Sequence, residues 1–364
     1  TALQAVQQVL VLQPVPARRP QHRHMANITG IIGMNRSQTS IDKLLAAYGN
    51  DVIDVATGFG YPLNLDSTQK VEFEAFLDRI FIQNYETKPK TFAGTAWSNE
   101  YVPRTMISRY LKNYKEEARL YLGNCKFAPP QMPLDANSNA IVFPSRIFFP
   151  DLFYGNRLTW GLEWGTNGKT NTGSPFFDLA QPLVQDFKES NIKVGDPLFI
   201  TNGDTQLASK PYFVASVESP FRLKMTENFS VTATSLHYWA GSNWFDVATD
   251  DNDQITGLGT NSTRLLVFKL MSLWFYTGSQ LRQVKDTVGT SSHRSIINKG
   301  GFTYYFHGSS PLKAGIYRYD GTQSIRVSRA IEPYIRGMTS ANYTEVVSWE
   351  EGDEIRFFLG DLTN

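Results

Sequence analysis

The chain has 364 residues, and its 35 Lys and Arg against 34 Asp and Glu exclude a strongly basic nucleic-acid binder and an acidic tail. Aromatic residues reach 13% while charged residues make up only 19%, and 27 Gly with 18 Pro favour short strands and turns over helical bundles. The single cysteine, Cys125, excludes an internal disulfide and a cysteine-built zinc or iron–sulfur site, and it fits synthesis in a reducing compartment.

Residues 1–60 stand apart from the rest. Thr1–His24 is Gln-rich, then Pro- and Arg-rich, and reads as an extended N-terminal arm that does not nucleate a core, with Met25 a suitable natural start. The apolar stretch Ala2–Leu12 precedes the charges of Arg18, Arg19 and Arg23, the reverse of a secretory signal. No apolar run reaches the roughly 18–20 residues that span a bilayer. A soluble protein without an export signal is expected. Ile41–Tyr48, opened by Ser40 and ended by Gly49 and Asn50, predicts a short helix.

Residues 61–190 read as strand, turn, strand: Val71–Phe76, Arg79–Ile82, Phe92–Trp97, Ala118–Leu122 stopped by Gly123 and Asn124, Ile147–Phe149 and Arg157–Trp164. Gly165–Ser174 is small and polar and predicts a loop or linker. Residues 191–235 form a compact unit, with strands at Pro197–Thr201, Pro211–Val217, Phe221–Met225 and Phe229–Ala233, enough for a small inserted barrel. Residues 236–364 resume the earlier rhythm through Leu236–Trp239, Trp244–Val247, the acidic turn Asp250–Asp253, Leu265–Phe268, Ser272–Tyr276, Phe302–Phe306, Ile316–Tyr319 and Ile325–Val327. The expected fold is all-β: a β-propeller of short four-stranded blades, residues 61–190 and 236–364, with an inserted small β-barrel and an extended N-terminal arm. Trp97, Trp160, Trp164, Trp244, Phe275 and Tyr304 are expected to stack between blades.

Chemical motifs are weak. Gly165–Thr170 lacks the first glycine of a phosphate loop, where Glu163 stands, and no helix-forming stretch follows it. Asp250, Asp251 and Asp253 offer hard-cation ligands, but the glycine and distant glutamate of an EF-hand loop are missing, so an acidic turn between strands is expected. His22 and His24 have metal-like spacing only within the arm, and His237, His293 and His307 are scattered. Ser291, Ser292 and His293 are adjacent in sequence, which is not a triad. Glu72, Glu74, Asp78 and Glu163 serve as glycosidase carboxylates only if folding brings two of them together. Arg109, Lys112, Lys115 and Arg119 with Tyr110 and Tyr114 form a basic–aromatic patch of the kind that binds single strands, but Glu116 and Glu117 dilute it and a solvated edge is expected. No catalytic residue, cofactor or metal is expected.

The order of motifs from Trp244–Val247 through Asp250–Leu258, Arg264–Lys269 and Ser272–Tyr276 resembles one blade of the propeller-bearing tail and neck structural proteins of tailed bacteriophages, the tail nozzle proteins in particular. Val288–Thr290, Arg294–Ile296, Tyr305–Phe306, Gly315–Gly321 and Val327–Ile335 follow in that family's order, and Tyr114–Leu122, Pro144–Ile147 and Leu158–Trp160 upstream are similar too. The likeness covers about residues 70–345. It implies a virion structural protein, made in the host cytoplasm, that forms a ring of identical subunits around the DNA channel. Its partners would be copies of itself, other neck or tail proteins and, non-specifically, channel DNA during DNA ejection.

The Arg-rich arm departs from the family pattern. So does the C-terminus, where further strands are expected to finish the last blade; a truncated chain, the N-terminal strand or a neighbouring subunit would each account for it. Arg18, Arg19, Arg23, Trp244, Asp250, Asp251 and Asp253 are the interface candidates. Two other classes compete with a non-enzymatic ring component. A host-surface carbohydrate-recognition module would expose Trp160, Trp164 and Trp239. A polysaccharide-cleaving enzyme would bring two carboxylates together in a cleft.

Overall fold

The computed structural model describes residues 28–34 and 43–359, apart from 66–68, 77–78, 87–89, 93–96, 99–105, 115–116, 118, 128–140, 155–156, 160–162, 181–186, 189, 191, 201–205, 208–209 and 242. Blade one consists of β1 (Ile28–Met34), β2 (Lys43–Tyr48), β3 (Asp51–Asp54) and β4 (Gly60–Pro62). Blade two follows with β5 (Glu72–Phe76), β6 (Arg79–Gln83), β7 (Lys90–Phe92) and β8 (Trp97–Ser98). Blade three opens with β9 (Met106–Tyr114), β10 (Arg119–Phe127) and β11 (Ile141–Phe149).

The chain then leaves blade three through a hairpin, β12 (Asp151–Tyr154) and β13 (Arg157–Thr159). Six strands follow: β14 (Glu163–Thr170), β15 (Phe176–Leu179), β16 (Pro197–Ile200), β17 (Tyr212–Ser219), β18 (Arg222–Met225) and β19 (Ala233–Ala240). They close a barrel in the order β14-β15-β18-β17-β16-β19. Next, β20 (Asn243–Asp246) returns to blade three and pairs with β11 as its outermost strand.

Blade four is β21 (Ile255–Asn261), β22 (Arg264–Lys269), β23 (Leu273–Tyr276) and β24 (Leu281–Gln283). Blade five is β25 (Ile297–Lys299), β26 (Phe302–His307), β27 (Gly315–Tyr319) and β28 (Ser324–Arg326). Short helices at Glu332–Gly337 and Ser340–Tyr343 lead to a two-stranded sixth sheet, β29 (Val347–Glu351) and β30 (Glu354–Phe358). None of the helices among the described residues is long and apolar enough to cross a membrane.

The sheets are arranged radially. The first strand of each lies against the first strand of the next, β1 on β5, β5 on β9, β9 on β21, β21 on β25 and β25 on β29. Each junction has its own apolar cluster. Leu45, Val52, Ile80 and Phe92 join blades one and two, and Phe76, Leu111, Leu122 and Phe148 join two and three. Tyr121, Ile147, Leu258 and Tyr276 join three and four, Phe268, Leu273, Tyr305 and Tyr319 join four and five, and Phe306, Ile335, Tyr343 and Val346 join five to the sixth sheet. A fully buried aromatic ring contributes about 1.5–3 kcal/mol by leaving water, so these junctions hold the ring together. The barrel has a separate core around Phe177, Phe187, Leu223 and Tyr238. The β-propeller with an inserted barrel is the expected fold, but the arm expected over residues 1–60 is corrected: residues 28–34 and 43–62 build blade one, and Thr1–His24 lie outside the described residues.

Further expectations differ from the structure. Residues 43–48 form β2 rather than a helix, because Leu44–Ala47 pair with β1 on one side and β3 on the other. Gly49 takes φ +60°, and with Asn50 it makes the hairpin turn instead of a helix end. The barrel spans 163–240 rather than 191–235, and the polar stretch read as a linker supplies its first strand. Glycine permits this: a Cβ at Gly168 would come within 2.4 Å of the Phe177 ring, so its absence admits the aromatic core. Finally, β9 is the innermost strand of blade three, not a solvated edge, and Gly123 with Asn124 marks a register shift inside β10 rather than its end.

Candidate functional site in the propeller axis

Because the first strand of each sheet faces the axis, side chains at alternate positions of β5, β9, β21 and β29 meet there. Glu72 and Glu74 share one face of β5. Oε2 of Glu72 lies 3.5 Å from Nε2 of His293, and Oε1 lies 3.5 Å from Nε of Arg294. Arg294 also donates to the Val71 carbonyl at 2.9 Å. The Leu258 N–H donates to Nδ1 of His293 at 3.2 Å, which fixes the neutral tautomer with its proton on Nε2, facing Glu72. Burial pushes the His293 imidazole below its ordinary range, with Glu72 opposing.

Glu74 accepts from the Asn113 N–H at 3.0 Å and pairs with Lys112 at 3.4 Å. Burial raises its carboxyl above the usual range, and Lys112 and the Asn113 N–H offset part of that.

The Glu72–His293–Arg294 bridge separates two cavities, and all three residues line both. One, of about 390 Å³, reaches Gly259, Asn298 and Ser348. The other, of about 510 Å³, is lined by Lys70, Tyr85, Arg109, Tyr110 and Glu345. Lys70 bridges the ring beside this larger cavity, 2.7 Å from Glu345 and 2.9 Å from the Thr344 carbonyl.

The structure separates the sequence-level candidates. Ser291 and Ser292 donate their hydroxyl protons to the carbonyls of Tyr343 and Val346, so neither faces His293 as a nucleophile. Glu163 sits in the barrel, where Ser190 donates to it, remote in the fold from Glu72 and Glu74. Asp78 lies outside the described residues. Of the basic–aromatic patch, Lys112 is paired with Glu74, Arg119 with Glu117 at 3.6 Å, and Tyr114 is buried.

Of the interface candidates, Arg18, Arg19 and Arg23 lie outside the described residues. The indole N–H of Trp244 donates to Oδ1 of Asp196 at 2.8 Å, and the Arg146 guanidinium lies 3.5 Å from its ring centroid. Trp244 thus fastens the barrel to β20. Asp251 pairs with Lys269, and Asp253 accepts from the backbone of Leu270 and Met271, while Asp250 is exposed. Among the described residues no three His, Cys, Asp or Glu side chains gather to hold a metal. Trp239 is half-buried against the cluster of blades two and three, and the side chains of Trp160 and Trp164 lie outside those described.

Reading by motif placed Arg109 on a solvated edge rather than in a cavity, and it missed the role of Asp196 and the Glu72–His293 pair. The available signal was charge at alternate positions of an otherwise apolar strand, Glu72 and Glu74 on β5.

No known protein family matches the sequence, and no curated protein matches it. Solved structures resemble the chain at a low level. An endosialidase of phage phi92 has a TM-score of 0.25 at 12% identity over 72% of this chain and 49% of its own. PorZ, a surface component of the type-IX secretion system of Porphyromonas gingivalis, has a TM-score of 0.20 at 11% identity over 83% of this chain and 39% of its own. The β-propeller domain of the Trilobed protease from Pyrococcus furiosus has a TM-score of 0.17 at 7% identity over 83% of this chain and 92% of its own. The chain spans about half the length of the endosialidase it matches. At these scores the propeller assignment rests on the chain's own strand order.

Proposed function

We propose that the chain is a structural, non-enzymatic component of a tailed-phage virion, of the neck or tail nozzle, that assembles through protein–protein contacts into a ring around the DNA channel. The observation that carries this reading is an apolar outer edge on blade five. Ile325 on β28 is 41% exposed and Val327 just after it 45%, with Leu312 of the β26–β27 loop 74% and Tyr334 of the following helix 65% exposed. Ile325 lies on β28, which has a partner strand on one side only among the described residues. Exposed apolar side chains beside a free strand edge are what subunit packing covers. The family resemblance along residues 70–345 agrees, and the near-zero net charge suits close packing of identical subunits. The pairing of Glu72 with Arg294 and of Glu74 with Lys112 suits a scaffold better than an acid–base pair.

The test is the mass of the purified full chain by native mass spectrometry, with the Ile325→Asp, Val327→Asp double variant beside it. A ring of many copies that the double variant reduces to monomers is the expected result. A monomeric wild type that binds host cells would overturn the reading in favour of a recognition module.

A further inference from the structure

We infer that the wider axial cavity is a binding site for an anionic group, a carboxylate or a phosphate, received by the guanidinium of Arg109 with the hydroxyl of Tyr110 beside it. The inference does not depend on the ring assembly proposed above.

The first observation is charge. Three cations, Lys70, Arg109 and Arg294, line the cavity against two carboxylates, Glu72 and Glu345. Arg294 is held by Glu72 and Lys70 by Glu345. Arg109 is left over: among the described residues it has no carboxylate within ion-pair distance, although it is half-buried. A half-buried guanidinium without a counter-charge forgoes stabilisation that a single anion would supply, by charge-assisted and often bidentate hydrogen bonds.

The second is how Arg109 is held. Its guanidinium carbon lies 4.4 Å from the centroid of the Tyr85 ring. Stacking on an aromatic occupies the face of the guanidinium and leaves its N–H edge free for a ligand. Tyr110 lines the same cavity as Arg109, and burial keeps its hydroxyl protonated far above neutral pH. The Lys126 ammonium, 4.5 Å from the Tyr85 centroid, adds positive potential but is already paired with Glu86 at 2.8 Å.

The third is backbone strain beneath the site. Tyr85 takes φ +65° and Asn124 φ +54°, and the Tyr85 hydroxyl donates to Oδ1 of Asn124 at 3.2 Å. Asn124 is anchored in turn by donating to the Ile255 carbonyl at 3.0 Å. A left-handed aromatic residue is strained and persists where its surroundings over-determine it. Here that conformation places the platform on which Arg109 rests. The cavity volume of about 510 Å³ suits a ligand the size of an acidic sugar or a nucleotide rather than a polymer segment threaded through.

The test is calorimetric titration of the full chain at low salt with two probes, inorganic phosphate and glucuronate, repeated for Arg109→Gln, Tyr110→Phe and the exposed control Arg329→Gln. The expected result is saturable binding of at least one probe, weakened at least tenfold by Arg109→Gln, weakened less by Tyr110→Phe, and unchanged by Arg329→Gln. Binding of phosphate alone identifies a phosphorylated ligand, and binding of glucuronate alone a carboxylate-bearing sugar. No saturable binding of either probe overturns the inference, as does binding that Arg109→Gln leaves intact. Should Arg109→Gln not fold, wild type labelled at the arginine side chains answers the same question by NMR. A probe-dependent shift of the Arg109 guanidinium signal supports the site, and its absence at saturating probe overturns it.

Discussion

Lys269 is fully buried and holds its ammonium 2.5 Å from Oδ1 of Asp251, while also donating to the Ala248 carbonyl at 2.6 Å. The neighbouring Asp253 carboxylate accepts from the N–H groups of Leu270, at 3.2 Å, and Met271, at 2.8 Å. The acidic turn before blade four therefore clasps the β22–β23 turn, and its carboxylates serve the fold.

The two partners of that pair are unequal, since Asp251 keeps 35% of its side chain in water while Lys269 keeps none. Asp251→Ala leaves a buried ammonium with one carbonyl, and a loss of about 2–3 kcal/mol is expected, below the full buried-pair figure because water reaches Asp251. Lys269→Met removes the buried charge and lets Asp251 rehydrate, so about 1 kcal/mol or less is expected. Urea unfolding of the two variants measures the difference. Equal losses would show that the ammonium is not dependent on Asp251.

Gly289 sits where no side chain fits. A Cβ there would lie 1.6 Å from the Lys269 carbonyl oxygen and 2.6 Å from that of Ser272, and neither backbone atom can swing aside. Gly289→Ala is expected to cost on the order of 3 kcal/mol or more. Gly352→Ala, at φ +58° in open space, should cost only about 1 kcal/mol. The two melting temperatures, read by circular dichroism, give the contrast; comparable shifts would show that the turn at 289 can move.

The propeller was legible in the sequence because its strands are short, apolar and separated by turn residues, as in Leu265–Phe268 and Phe302–Phe306. Illegible parts are those where tertiary context overrides local signals. Leu44–Ala47 suit a helix by propensity, yet β1 and β3 claim both of their backbone edges. Gly165 and Gly168 look like linker residues, but they make room for Tyr238 and Phe177. Gly123 and Asn124 carry turn chemistry and make a bulge instead, the same Asn124 that anchors Tyr85. The axial pairs were hidden for a different reason: Glu72 lies on β5 and His293 in the 3-10 turn between blades four and five, and only the radial arrangement of the sheets brings them together.

Cys125 is wholly buried between blades two and three, and burial pushes its thiol well above the ordinary range. A maleimide reagent at pH 8 should leave the native protein unlabelled over hours, because the reactive thiolate is both rare and inaccessible. In urea, labelling should rise in step with loss of structure, which makes Cys125 a reporter for the opening of this junction. Rapid labelling before any loss of circular dichroism would mean that blades two and three separate in the native state.

His307 provides the pH prediction. Its Nδ1 lies 3.2 Å from the Gly289 carbonyl and its Nε2 lies 2.6 Å from the Ser309 hydroxyl, an arrangement satisfied by the neutral ring with its proton on Nδ1. Burial pushes its pKa down from the usual 6.5 to about 4, with the Gly289 carbonyl opposing. A histidine whose folded pKa is depressed contributes fully above the unfolded value, loses stability as pH falls below about 6.5, and levels off below about 4. The full swing is about 3 kcal/mol. His293 shifts in the same direction, whereas the raised carboxyl of Glu74 acts oppositely, favouring the fold as pH falls. The informative quantity is thus the difference between wild type and His307→Gln, since glutamine keeps a donor and an acceptor but does not titrate. Unfolding free energies measured from pH 4 to pH 7 should give a wild-type-minus-variant curve that climbs with pH. A flat curve would mean that His307 takes up its proton without strain, with the Gly289 contact rearranged to admit it.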